Sequence, residues 1–186
     1  MKERPILFSA PMVRAILAGT KTQTRRIVKK TEAVSFDEDG RLSFLPCPYG
    51  QPRDLLYVRE GFSYTHDCTK DDVGAPVWYW ADGNPDHGDF TRPKPSIHMP
   101  RWASRIMLEI ISVRVQKLQN ISEADSRAEG IIDGGCLNCG NPEPCGCDNP
   151  APDARDSFCR LWQSINGELS WHENPWVWVV EFKRIG

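Results

Sequence analysis

With 186 residues, 40% of them hydrophobic and 26% charged, the chain is long enough for one domain with a sizeable core and ordinary in composition for a soluble globular protein. A net charge of -2 argues against a protein held to nucleic acid by bulk electrostatics, and no apolar run approaches the length of a membrane span. The first residues, Met1 to Phe8, carry charge and no long apolar stretch before a cleavage site, so the expectation is a cytoplasmic protein without a membrane partner.

Charge is unevenly placed. Residues 1–30 hold eight Lys or Arg against Glu3, and residues 120–160 hold eight Asp or Glu against three Arg. Such blocks either face each other or mark a site for an anionic group.

In chain order, Ile6 to Ser9 is a short apolar run and a first strand. Ala10 to Ala18 is a helix, with Ser9 as N-cap, Pro11 tolerated in the first turn, Gly19 as terminator, and Met12, Ile16 and Leu17 on one face. Thr22 to Val28 is rich in β-branched residues and forms a strand. Residues 31–52 are loop with a weak hairpin around Asp39-Gly40. Asp54 to Glu60 and Val77 to Asp82 are strands, the second unusually aromatic. Residues 83–100, with four prolines, form an extended connector. Arg105 to Leu118 alternates apolar and polar residues, as one long strand or two paired strands would. A helix starts at Asn120 or Ser122 and stops at Gly130. Ala154 to Ile165 is an amphipathic helix with Phe158, Leu161, Trp162 and Ile165 on one face, and Pro175 to Phe182 is the closing strand. Strands first and last, with helices not regularly alternating, imply an α+β fold with a mixed, barrel-like sheet.

The segment Gly19-Thr20-Lys21-Thr22-Gln23-Thr24-Arg25-Arg26 combines a hinge, an amine, a hydroxyl and two guanidiniums. An amine three residues from a hydroxyl forms a base–nucleophile pair if it is desolvated enough to lose its proton. The plainer alternative is a helix C-cap glycine followed by a solvated basic strand. Lys21 and Thr24 differ by three and point to opposite faces of a regular strand, so they converge only if Lys21 sits in the turn after Gly19 or a bulge intervenes. Thr24 and Arg26 share a face, and Arg25 is expected to point outward.

Seven cysteines without an export signal disfavour a disulfide framework. Cys47, Cys68 and Cys159 are scattered, as buried or partly buried small side chains would be. Cys136, Cys139, Cys145 and Cys147 cluster in the Gly/Pro-rich stretch 133–152, a spacing that suits a structural zinc better than the alternatives of free thiols or a disulfide. Four thiolates close the shell and leave no open position for water, so catalysis is expected to need no cofactor.

Gly19-x-Lys21-x-x-Thr24-x-Arg26, the strand ending Val58-Arg59-Glu60, the helix bearing Glu129 and the final Trp178-Val179-Val180-Glu181-Phe182 together resemble the ASCH domain family, of the PUA-like β-barrel superfold. Residues 95–103 and 174–178 are similar to its longer members in bacteria and their prophages. The Thr at position 24 is similar to one branch, small amidohydrolases that deacetylate N4-acetylcytidine. That resemblance implies a single PUA-like domain over 1–186 with the Cys-rich insert at 133–152. It also implies a small-molecule modified nucleoside as substrate and Lys21, Thr24 and Glu129 as the catalytic set. Arg26 either orients Glu129 or substrate, or forms a structural ion pair. A nucleobase also needs a flat apolar wall, for which Trp78, Tyr79 and Trp80 are candidates, and polar readers, for which Arg59 and Glu60 are. Core packing is the competing reading for the tryptophans. Two further functions fit the family and the basic N-terminal block: an RNA-binding module, and a ribonuclease using Lys21 and Arg26 on a phosphate.

Overall fold

The computed structural model describes residues 1–29, 46–65, 67–85, 88–132 and 154–186, with the backbone of two short strands between 30 and 45. In chain order the elements are β1 (Glu3–Leu7), α1 (Ala10–Leu17), β2 (Gln23–Ile27), β3 (Ser35–Phe36), β4 (Leu42–Ser43), β5 (Leu55–Arg59), β6 (Phe62–Tyr64), β7 (Val77–Tyr79), β8 (Met107–Lys117), α2 (Glu123–Ala128), α3 (Ala154–Asn166) and β9 (Trp176–Ile185). The fold is α+β. Paired strands β3 and β4 flank Asp39-Gly40, where the hairpin was expected. The alternating segment from Arg105 is one strand, β8, and the aromatic strand stops at Tyr79, giving way to a 3-10 turn over Trp80–Asp82.

The chain divides into two compact units, each discontinuous in sequence: 1–19 with 48–112 and 182–186, and 20–47 with 113–181. In the first, β1 runs parallel to β5 (Glu3 opposite Leu55 to Leu7 opposite Arg59), and β5 pairs antiparallel with the start of β8. Antiparallel β6 and β7 carry a core of Phe62, Tyr64, Met99 and Ala103. Helix α1 buries Val13 and Ile16; the expected Leu17 stays exposed because the buried stripe is one residue narrower.

In the second unit β2 pairs antiparallel with β9, Gln23 opposite Glu181 through Ile27 opposite Val177. Leu118, Ile121, Phe158, Trp162, Val177 and Val179 form its core. On α3 the apolar face ends at Trp162, and Ile165 is 59% exposed. The mixed pairing is as expected; the barrel is not found. Among the described residues β1 pairs only with β5 and β2 only with β9, so both strands keep an unpaired edge, and closure requires every edge to be paired. No helix among the described residues is long and apolar enough to cross a membrane.

Helix α2 sets up the site. Ser122 caps it, its hydroxyl accepting from the Asp125 N–H at 3.0 Å. Glu129 is its C-cap, and Gly130 follows at φ 86°, a left-handed conformation that stops the helix. Gly130→Ala is therefore expected to cost about 1–2 kcal/mol in chemical denaturation, since a Cβ is disfavoured there.

Candidate active site

The decisive local feature is a backbone bridge. Lys21 and Glu129 pair antiparallel outside any named strand, and the Thr22 N–H donates to the Ala128 carbonyl at 2.9 Å. Lys21 thus departs from a regular strand, and the departure takes it to Glu129. Its ammonium donates to the Gln23 carbonyl (2.8 Å), the Glu129 carbonyl (2.8 Å) and Glu129 Oε2 (2.9 Å). All three of its protons are thereby engaged. Lys21 is 2% exposed and Glu129 6%, so the ion pair lies out of water. Burial pushes the Lys21 ammonium below the usual lysine range, with the Glu129 carboxylate opposing that fall.

Arg25 completes the cluster and corrects the expectation that it points outward. Its side chain is fully buried. Nη1 donates to Glu129 Oε1 at 3.1 Å and Nη2 to Asp125 Oδ2 at 2.9 Å, with the guanidinium 5.9 Å from the Phe158 ring centre. Asp125 and Glu129 are four residues apart, so both carboxylates meet one fork-shaped cation. Asp125 also accepts from Arg114 Nη2 at 3.1 Å, which donates to Gln23 Oε1 at 3.1 Å, and Arg114 Nη1 pairs with Glu181. Burial raises the Asp125 carboxyl, but Arg25 and Arg114 outweigh it and hold the group below the usual aspartate range.

Thr24 is buried, 3% exposed, and faces Val180 across the pairing with β9. Gln23 and Arg25 point to the face carrying Asp125 and Glu129, so strand alternation turns Thr24 to the other face. Its hydroxyl is not among the three acceptors of Lys21 described above. Arg26, half-buried, shares the Thr24 side of the strand; the guanidinium on Glu129 is Arg25's.

The residues proposed to read a nucleobase belong to the first unit. Arg59 donates to the Ile97 carbonyl. Glu60, 1% exposed, is clamped by Arg105, Nε to Oε1 at 2.9 Å and Nη2 to Oε2 at 3.1 Å. Arg105 also grips both oxygens of Asp82 at 2.7 Å and lies 4.0 Å from the Tyr79 ring centre. Burial raises the Glu60 carboxyl, with Arg105 opposing. The Tyr79 hydroxyl donates to the Ala103 carbonyl at 2.9 Å, and Trp78 Nε1 to the Gly83 carbonyl at 2.9 Å. Apart from Arg59 Nε, which has no hydrogen-bond partner among the described residues, these polar groups are satisfied by the chain itself. Cys136, Cys139, Cys145 and Cys147, expected to hold zinc, lie outside the described residues; Cys47, Cys68 and Cys159 are half-buried.

Arg105 and Arg114 were missed by sequence reasoning, and neither stands in a motif. Asp125 had a signal: it precedes Glu129 by one helical turn inside the acidic block.

No family model matches the chain, and no curated protein does. Among solved structures the chain is similar to an ASCH domain from Lactobacillus crispatus JV V101. They share 14% identity over 98% of this chain and 79% of the other, with a TM-score of 0.44. It is also similar to the hypothetical protein PH0355, at 12% identity over the full length of both chains and a TM-score of 0.41. At these values the likenesses say nothing of this chain's chemistry.

Proposed function

We propose that the chain is an ASCH-type amidohydrolase that removes the acyl group from N4-acylated cytidine or cytosine. The observation that supports this reading is the buried Lys21–Glu129 pair, two groups 108 positions apart held at 2.9 Å. A desolvated amine beside a carboxylate can take and return protons below the usual lysine range, as hydrolysis of an amide requires. In the reaction, the Thr24 hydroxyl oxygen attacks the acyl carbonyl carbon and its proton passes to neutral Lys21. The cytosine N4 leaves as an amine, taking a proton relayed by Glu129. Water then cleaves the threonyl ester and releases the acid. Before attack Lys21 gives up its proton to solvent and exchanges its bond to the Gln23 carbonyl for the Thr24 hydroxyl.

The test is loss of the N4-acetylcytidine ultraviolet band on incubation with the protein. Thr24→Ala is expected to lower kcat by at least about a thousandfold, and Thr24→Ser to retain part of it. Full activity in Thr24→Ala would remove threonine as nucleophile; no hydrolysis by the native chain would sink the reading. The rate is expected to rise with pH as Lys21 loses its proton, with a midpoint below that of an exposed lysine, because burial lowers it. The ribonuclease reading asks Lys21 and Arg26 to meet a phosphate in place of the acyl carbonyl. Steep loss of activity with salt would favour it instead.

A further inference from the structure

Lys21 stands at the inner end of an alternating row of charges in the second unit. Its ammonium meets Glu129 at 2.9 Å, Glu129 meets Arg25 at 3.1 Å, and Arg25 meets Asp125 at 2.9 Å. Asp125 meets Arg114 at 3.1 Å, and Arg114 ends the row on Glu181. Lys21 and Arg25 come from β2 and the bridge before it, Asp125 and Glu129 from α2 and its cap, Arg114 from β8 and Glu181 from β9. The row runs from dry to wet. The side chains of Lys21, Arg25 and Glu129 are at most 5% exposed, whereas those of Asp125 and Arg114 are 22% and 36% exposed.

The inner members have a place in the proposed hydrolysis, and Asp125 and Arg114 have none. Shared hydrogen bonds tie the two parts together. Asp125 divides its oxygens between two guanidiniums, Oδ2 accepting from Arg25 and Oδ1 from Arg114. Arg25 divides its nitrogens between two carboxylates, Nη1 donating to Glu129 and Nη2 to Asp125. A shift of Arg25 toward one carboxylate is therefore a shift away from the other. Arg114 is anchored apart from Asp125, by Gln23 Oε1 at 3.1 Å and by Glu181. The inner charges lie out of water, where solvent and salt screen them little, so a change at the outer end is felt at the inner one.

We propose that Asp125 and Arg114 are positioning residues that set how readily Lys21 gives up its proton, acting through Arg25. The proposal rests on the hydrolytic reading in taking Lys21 as the base. With Lys21 protonated the row holds three cations and three carboxylates; with Lys21 neutral it holds one surplus negative charge. Removing the Asp125 charge cancels that surplus. It also lets Arg25 move onto Glu129, which then holds the ammonium less firmly. Removing the Arg114 charge does the opposite: it adds a second surplus charge and draws Arg25 toward Asp125, leaving Glu129 to the ammonium. The other charge acting on Lys21 is Arg26, on the Thr24 side of the strand, and neither change touches it. From α3 the group over Arg25 is the uncharged Phe158 ring.

The experiment is an NMR titration of the full chain carrying 13C-labelled lysine, beside the pH profile of N4-acetylcytidine hydrolysis. The Lys21 signal is the one lost in Lys21→Met. Asp125→Asn keeps the shape and an acceptor for Arg25, and the Lys21 midpoint is expected to fall by about one pH unit. Arg114→Gln is expected to raise it by a similar amount, and the rate profiles should move with the two midpoints. A merely structural role would not give opposite signs. Melting followed by circular dichroism reports whether each variant folds; Arg114 is partly exposed, so its variant serves even if Asp125→Asn does not fold. An unchanged or lowered midpoint in Arg114→Gln would overturn the proposal, as would shifts of the same sign in both variants. Opposite shifts in a chain that does not hydrolyse N4-acetylcytidine would support it and sink the hydrolytic reading alone. Unchanged midpoints in an active chain would do the reverse.

Discussion

Glu129→Ala is expected to destabilise the second unit by about 3–5 kcal/mol and to abolish hydrolysis of N4-acetylcytidine. The magnitude follows from what is left behind. Lys21 keeps two carbonyl acceptors but loses its counter-charge at 2.9 Å, and an uncompensated buried charge costs about that much. Arg25 loses one of its two carboxylates in the same change. Replacing both partners together, Lys21→Met with Glu129→Leu, is expected to recover most of the stability, because apolar side chains of similar volume remove both desolvation penalties. The double variant should fold and remain inactive. Urea denaturation and the ultraviolet assay on the same preparations separate the two roles. If the double variant is as unstable as Glu129→Ala, the pair's charge is not what the fold depends on; if it is active, Lys21 and Glu129 are not the proton-transfer groups.

The same pair carries a pH signature. The folded Lys21 ammonium is held below its usual range, so between the folded value and the ordinary lysine value of 10.5 the unfolded chain binds more protons. Stability contributed by this group therefore rises with pH across that window. Lys21→Met should flatten the rise.

How much of this was legible in the sequence depends on the range of the interaction. The helix ends were local matters: Ser122 as cap and Gly130 as stop stand where turn chemistry requires them, and Glu129 falls between. The complementary charge blocks also carried information, since Lys21 and Arg25 from the basic block meet Asp125 and Glu129 from the acidic one. Which arginine does so was not legible. Strand alternation says that Arg25 and Arg26 face opposite ways but not which way is inward, and choosing Thr24 as the site residue turned Arg25 outward. Two carboxylates one helical turn apart would have argued for a forked cation on the helix-facing side. The clamp of Arg105 on Glu60 and Asp82 joins residues 45 and 23 positions apart through tertiary contact alone, so no local pattern announces it. The barrel failed for a related reason: closure is decided by whether two distant edges pair, and hydrophobic periodicity carries no signal for that.

Arg25→Ala is expected to cost about 3 kcal/mol at neutral pH, because a fully buried guanidinium bridging two carboxylates is lost. Its removal leaves Glu129 with Lys21 and Asp125 with Arg114, and it opens the space above Phe158. The sign of the pH dependence distinguishes an electrostatic loss from a packing loss. Asp125 is held below the usual aspartate range in the folded chain, so it contributes stability above its unfolded value that disappears as pH falls through its folded one. Without Arg25 that depression shrinks, and the native and variant stabilities should converge as the pH is lowered from 7 toward 3. A gap that stays constant over the same range would mean that the lost contact with Phe158 dominates. Arg25→Lys keeps the charge but not the fork, and a single ammonium cannot serve Glu129 and Asp125 with the same geometry. It should recover part of the stability while lowering kcat more than it raises KM, because a Glu129 held by one contact fewer is a less well-aimed proton donor. An unchanged kcat in Arg25→Lys would confine Arg25 to the fold and leave Glu129 oriented by Lys21 alone.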